Sequence, residues 1–254
     1  MFKLIKYELR STFLTIIGIC ISVIIANLFL MTKKDTWDVA VTALSTCLII
    51  GAIIVIFISS LKIMSKYLYG DSGYLLFTLP QSGKAIMTSR LITALIQISI
   101  VAFVSISMCY FTVTEKIDLS FFKDIKLSVV LFFIIQYIWI IVSSLTVIYF
   151  CMVVGKVALR GKKLGKIGSF VIFIILTVAI GWLSFKIVEL FPQTLNIVGS
   201  SLESSFQSSA SALSVSGGEL NININIADTI FQIITFVGLF ITTTYLIDKK
   251  LDLS

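Results

Sequence analysis

The sequence predicts an all-α integral membrane protein with six transmembrane helices, and two observations carry that prediction. Hydrophobic residues make up 58% of the 254-residue chain and charged residues only 13%. Soluble domains hold about a quarter charged residues. The apolar excess is gathered into six uncharged runs: Ser11–Thr32, Val39–Leu61, Leu91–Thr114, Leu127–Gly155, Ile167–Phe185 and Thr229–Ile247. A helix rises about 1.5 Å per residue, so about 20 apolar residues cross a hydrocarbon core about 30 Å thick. Water is absent there, and each backbone N–H and C=O must be satisfied within its own segment, which makes the runs helices. The plentiful Ile and Val would favour strands in water, but run length overrides that preference in lipid. The expected spans are residues 12–32, 39–61, 91–113, 128–154, 167–188 and 228–247, in one transmembrane domain over residues 1–254.

Ahead of the first span, Phe2, Ile5 and Leu9 fall on one helical face, with Lys3, Lys6 and Arg10 toward the other. The pattern suits a short amphipathic helix in the headgroup plane. An ordinary basic flank that only orients the first span is the alternative. The first run is too long for a removed signal peptide and lacks a small-residue cleavage site, so it stays as helix one.

Between spans two and three lies a long loop, residues 62–90. In it Asp71 or Ser72 can cap a short helix. Pro80 disfavours helical geometry at Leu79 and should end it. Between them stand Tyr74, Leu75, Leu76, Phe77 and Leu79, an apolar knob too short to cross a membrane. Such a patch either rests on the lipid surface or docks into a partner's groove.

At the end of span five, Lys186 and Glu189 are placed to pair on one helical face. They read either as a snorkelling interfacial pair or as a polar rim on an outward-facing path. The polar residues within the runs, Asn27, Gln97, Gln136 and Gln232, read as hydrogen-bonding glue between helices.

The second long loop, residues 191–227, joins spans five and six. Serine dominates Ser200–Ser216, as in a flexible linker. Yet Leu202, Phe206, Ala210 and Leu213 recur at helical spacing, and Gly217-Gly218 then breaks the chain. Asn221–Ile226 alternates Asn with Ile, as a half-buried extended segment would. The expectation is a small extracellular cap of helix, turn and extended piece.

Orientation follows from the basic residues. With the N-terminus inside, the inner segments carry Lys3, Lys6 and Arg10, then Lys62, Lys66, Lys84 and Arg90. They also carry Lys156, Arg160, Lys162, Lys163 and Lys166, and finally Lys249 and Lys250, which makes 14 of the 20 Lys and Arg. Lys33, Lys34, Lys116, Lys123, Lys126 and Lys186 fall outside. The positive-inside bias therefore places both termini in the cytoplasm. The net charge of +7 expresses that bias, with some attraction to anionic headgroups. No segment is long enough to form a folded basic domain, so nucleic acid is not an expected partner.

Several chemistries are excluded. Histidine is absent, which removes His-ligated metals and His-based triads. Cys20, Cys47, Cys109 and Cys151 stand singly in different runs and read as small packing residues. None of the six runs contains a carboxylate, so an enzyme within the membrane is not expected. The broken helices or buried acids expected of an ion-driven carrier are not evident either. Gly83-Lys84 lacks the phosphate-loop pattern, since Thr78 replaces the first glycine and Ala85 the hydroxyl residue. The chain encodes no nucleotide site of its own.

The acidic residue followed by Gly73-Tyr74 and then Phe77-Thr78-Leu79-Pro80, between spans two and three, resembles a loop of small ABC-exporter permeases. These belong to the type-2 ABC permease superfamily, common in Gram-positive bacteria. The resemblance extends over the chain: a basic amphipathic start opening Met-Phe-Lys, six spans, and a large outer loop between spans five and six. It implies that Gly70–Pro80, including Asp71, Gly73, Tyr74, Phe77, Thr78, Leu79 and Pro80, forms a coupling helix. That helix would seat on a separate ATP-binding cassette subunit, which binds ATP and Mg²⁺, leaving this chain without a cofactor. The N-terminal segment would be the interfacial helix that carries the movement onward. The resemblance further implies a plasma-membrane location and pairing with a second copy or a sister permease. The substrate would be a peptide such as an antimicrobial peptide, a lipid, or a drug-like amphipath. A secondary carrier, or a non-transporting membrane sensor or assembly protein, is the competing class.

The topology predicts that cysteines placed at Ser205 and Ser82, in a cysteine-free background, react with impermeant maleimide from opposite sides of the membrane. Reaction of both from outside would refute the six-span arrangement.

Overall fold

The computed structural model describes residues 2–33, 38–69, 82–113, 127–158, 165–198, 201–206, 212–216 and 219–249. Six long helices dominate it: α1 (Phe2–Met31), α2 (Asp38–Tyr69), α3 (Gly83–Val113), α4 (Leu127–Ala158), α5 (Gly165–Leu190) and α6 (Ile226–Lys249). Each contains a segment long and apolar enough to cross a membrane. The helices outrun the uncharged runs that predicted them. α2, with 32 residues, is about 48 Å long, against a hydrocarbon core of about 30 Å.

The chain packs as two units, Met1–Ile125 and Lys126–Ser254. In the first, α1, α2 and α3 all touch one another. The separate interfacial helix expected over Phe2–Arg10 is not a separate element, because α1 runs unbroken from Phe2. No proline occurs in α1 and its first glycine is Gly18, so nothing interrupts the hydrogen-bond ladder near Arg10. Ile5 and Leu9 are half-buried while Lys6 and Arg10 are exposed, so the amphipathic pattern is present within α1. The side chain of Phe2 lies outside the described residues.

The loop expected over residues 62–90 is also shorter. α2 continues to Tyr69 and α3 begins at Gly83. Ile63, Met64, Tyr67 and Leu68 on α2 are buried, as are Ile86, Met87 and Leu91 on α3. Their helical spacing gives two facing stripes, which extend the α2–α3 hairpin as a packed stem. Ser82 caps α3, its carbonyl accepting from the Ala85 and Ile86 N–H groups at 2.9 and 3.2 Å. The residues singled out for the coupling helix, Asp71 through Pro80, lie outside the described residues.

In the second unit α4 packs on α5 and α6. The α4–α5 approach is close at Gly155, where an added Cβ would come within 3.0 Å of the Ser169 Cα. Trp139 of α4 packs on Phe236 of α6 with ring centroids 5.3 Å apart. Between α5 and α6 the chain forms four strands: β1 (Gln193–Val198), β2 (Ser201–Phe206), β3 (Ala212–Ser216) and β4 (Glu219–Asn225). They make one antiparallel sheet in the order β2-β1-β4-β3.

This sheet corrects the expected cap. Leu202 and Phe206 stand in β2 and Leu213 in β3, not on a helix; Ala210 lies outside the described residues. Serine competes for its own backbone and favours helices weakly. The alternating β4 offers a pairing edge, with Leu213 opposite Ile222. The extended reading of Asn221–Ile226 holds for Asn221–Asn225, and Ile226 opens α6.

The close helix contact gives a stability prediction. Gly155→Ala should overpack the α4–α5 contact at a cost of about 1–3 kcal/mol. Gly181→Ala and Gly238→Ala, where an added Cβ meets nothing within 4 Å, should leave stability unchanged or slightly raised. Thermal unfolding in detergent distinguishes these, and equal midpoints for all three would contradict the packing.

Candidate functional site

Glu8 and Arg90 form the most deeply placed ion pair among the described residues. The Arg90 Nε lies 2.9 Å from a Glu8 carboxylate oxygen, and the two side chains are 7% and 11% exposed. Three helices meet here. Arg90 Nη1 donates to the Ile63 carbonyl of α2 at 3.3 Å. Its guanidinium sits over the Tyr67 ring, 5.1 Å from the centroid. Only a planar, delocalised cation can serve a carboxylate, a carbonyl and an aromatic face together.

The pair is electrostatic more than hydrogen-bonded. Neither Glu8 oxygen nor Arg90 Nε makes an aligned hydrogen bond, so desolvation is only partly compensated. Under those conditions the pair adds little net stability, but losing one partner leaves the other buried and unpaired. Its effect is therefore to fix which helices meet.

One turn further along α1, Thr12 donates to the Glu8 carbonyl at 3.0 Å and accepts from Gln97 Nε2 of α3 at 2.7 Å. Near the opposite end of α1, Ser45 of α2 donates to Asn27 Oδ1 at 2.7 Å, and both are fully buried.

A second polar cluster caps α6. Asn225 Oδ1 accepts from the Asp228 N–H at 3.0 Å, and Asn225 Nδ2 donates to the Phe191 carbonyl at 3.0 Å. The Asp228 carboxylate accepts from Ser184 Oγ of α5 and, at 2.8 Å, from Gln232 Nε2. Trp139 Nε1 reaches Gln232 Oε1 at 3.4 Å. α4, α5 and α6 are thereby joined at this end. The carboxylate lies in the first turn of its helix, where the macrodipole favours an anion.

Of the polar residues expected to link helices, Asn27, Gln97 and Gln232 do so, whereas Gln136 is exposed. Lys186 and Glu189 pair at 2.6 Å with both side chains exposed. All four cysteines are free. Glu8, Arg90 and Asp228 did not stand out in sequence, because each lies outside the uncharged runs. Asn225 just before an apolar run, with Asp228 three residues on, carried a legible signal, an N-cap residue followed by an acid in the first turn. An acid among the basic residues of Phe2–Arg10 was the only trace of the Glu8 contact.

The six apolar helices make this a multi-pass membrane protein. Comparison with known proteins finds no matching family model, no matching curated sequence and no matching solved structure.

Removing one partner of the buried pair gives a directional test. Arg90→Ala should destabilise the protein by about 3–5 kcal/mol. Adding Glu8→Leu to it should recover much of that loss, because no buried charge then remains. Arg90→Lys should recover less, since an ammonium cannot serve all three partners. Unfolding midpoints in detergent report this, and additive losses in the double variant would contradict the coupling.

Proposed function

We propose that this chain is the membrane-spanning subunit of an ATP-driven ABC exporter. Two permeases, identical or sister, would form one translocation pathway above two ATP-binding subunits. Both termini and residues 70–81 would face the cytoplasm, as the distribution of Lys and Arg favours. The cargo class would be an amphipathic peptide, lipid or drug-like molecule.

The observation that supports this best is the clamped stem. α2 and α3 extend past the apolar runs as a packed hairpin, and residues 70–81 join their ends. Arg90 in that stem is gripped by Glu8 of α1 and by Ile63 and Tyr67 of α2. A push on the joining segment would reach α1 through the ion pair. Such a lever suits a protein that receives work from a partner. The long exposed flank of α5, including Phe170, Ile175, Val178 and Trp182, leaves room for a second permease or for lipid.

Asp228 does not favour an ion-driven carrier. Neutral donors and a capped helix end already hold its carboxylate, which explains its burial without an ion.

Tyr74 and Phe77 are the expected anchors in the ATPase groove. Truncating anchors of this kind costs about 2 kcal/mol or more of binding, about 30-fold in affinity. The Tyr74→Ala/Phe77→Ala variant should insert normally yet lose its ATPase partner during purification. An intact complex with unchanged ATP hydrolysis would remove this segment as the docking site.

A further inference from the structure

We infer that the groove between α1 and α2 binds one acyl chain of a membrane phospholipid as a retained ligand. The groove has a volume of about 490 Å³ and runs beside residues 19–26 of α1 and 44–55 of α2. Both stretches lie inside the uncharged runs, so hydrocarbon and not water surrounds the opening. Burial is graded across it. Val23 and Ala52 form the floor, at 5% and 7% exposure, whereas Leu44, Cys47 and Val55 on the rim are exposed. The buried Asn27–Ser45 hydrogen bond ties the two helices at the end next to Ala26 and Leu44.

The two helices do not close on each other along this seam. Gly51 borders the groove, and an added Cβ there would meet nothing within 4 Å, unlike at Gly155, where a neighbouring helix takes up the room. Small residues in a membrane seam ordinarily let two backbones approach closely. Here the space beside Ser22 and Gly51 is left open instead. Proteins hold few voids larger than a water molecule, because an unfilled gap forfeits the dispersion contacts of its lining. In a bilayer the groove is therefore filled.

Polarity, width and volume fix what fills it. Apart from the Cys47 thiol, the polar side chain in the described lining is Ser22, whose hydroxyl already donates to the Ile19 carbonyl at 2.9 Å. The occupant is therefore apolar. Residues 44–55 cover about 16 Å of helix, so the volume corresponds to a mean cross-section of about 30 Å². A helix about 10 Å across presents about 80 Å² and is too broad to enter. A single carbon chain, in contact at about 3.5–4.0 Å, fits. An apolar cavity of about 150 Å³ takes benzene, with six carbons. At about three times that volume the groove has room for about 18 carbons, the size of one phospholipid acyl chain. A second copy of the chain pressing on the rim is the competing cover.

The test uses the full chain in phosphatidylcholine nanodiscs doped with a phosphatidylcholine that carries a diazirine midway along one acyl chain. After illumination, the lipid adducts are mapped by peptide mass spectrometry. Residues 19–26 and 44–55 should carry several-fold more adduct than the exposed α5 face at Ile175 and Val178, which meets only passing lipid. Gly51→Leu, or Ser22→Leu should the first variant misfold, fills the groove. Either should bring the groove adducts down to the α5 level and leave those on α5 unchanged. Wild-type groove adducts no more frequent than those on α5 would mean ordinary solvation by lipid and overturn the inference. An excess that survives filling would overturn it too. Adducts missing from the groove, together with a Cys47–Cys47 crosslink on oxidation, would mean a second copy as the cover and contradict it as well. None of these outcomes depends on the exporter reading, which concerns residues 70–81.

Discussion

Lipid withholds from helices the force that drives packing in water, because an apolar side chain gains little by leaving acyl chains for another helix. Close approach and polar pairing then choose the neighbours. This chain uses both. Gly155 lets α4 close on Ser169, and each remaining contact has a polar bond within it: Glu8–Arg90 and Thr12–Gln97 for α1–α3, Asn27–Ser45 for α1–α2, Arg90–Ile63 for α2–α3, Trp139–Gln232 for α4–α6 and Ser184–Asp228 for α5–α6. A single such hydrogen bond contributes about 1 kcal/mol. Their importance is directional, since a slipped helix would bury these groups without partners.

The most deeply placed of these pairings, Glu8–Arg90, joins all three helices of its unit. Arg90 lies in the first third of α3, on the hairpin stem that the joining segment closes. Its partners belong to the two other helices of the same unit, so the stem and the start of α1 form one body. The second unit is joined differently, through a capped helix end and a shared carboxylate, and its polar cluster sits at the base of the sheet. Each unit therefore carries a polar fastening near one end of its helices.

The six spans were legible because hydrocarbon imposes one length and one composition on whatever crosses it. The linking roles of Asn27, Gln97 and Gln232 were legible too, since a polar side chain in an apolar run has few other uses. Helix ends were harder. α2 and α3 continue past their last apolar residues, because a hairpin stem can bury one stripe while exposing lysines such as Lys62 and Lys84. The Glu8–Arg90 pair was hidden for a related reason: its members are 82 positions apart and look like ordinary flanking charges. The sheet was misread at Leu202, Phe206 and Leu213, where a spacing that suits a helix also occurs across strands and turns. Only the Asn–Ile alternation of β4 declared its period without ambiguity.

Hydrogen exchange in nanodiscs tests the clamp most directly, because it reads each helix separately. The comparison is between the wild-type chain and the Arg90→Ala variant. The account predicts that amides of the first turns of α1, of Met64–Leu68 and of Ile86–Leu91 lose protection together, while α4, α5 and α6 are unchanged. Loss confined to α3, or protection preserved at the start of α1, would contradict a joint held by Glu8 and Arg90.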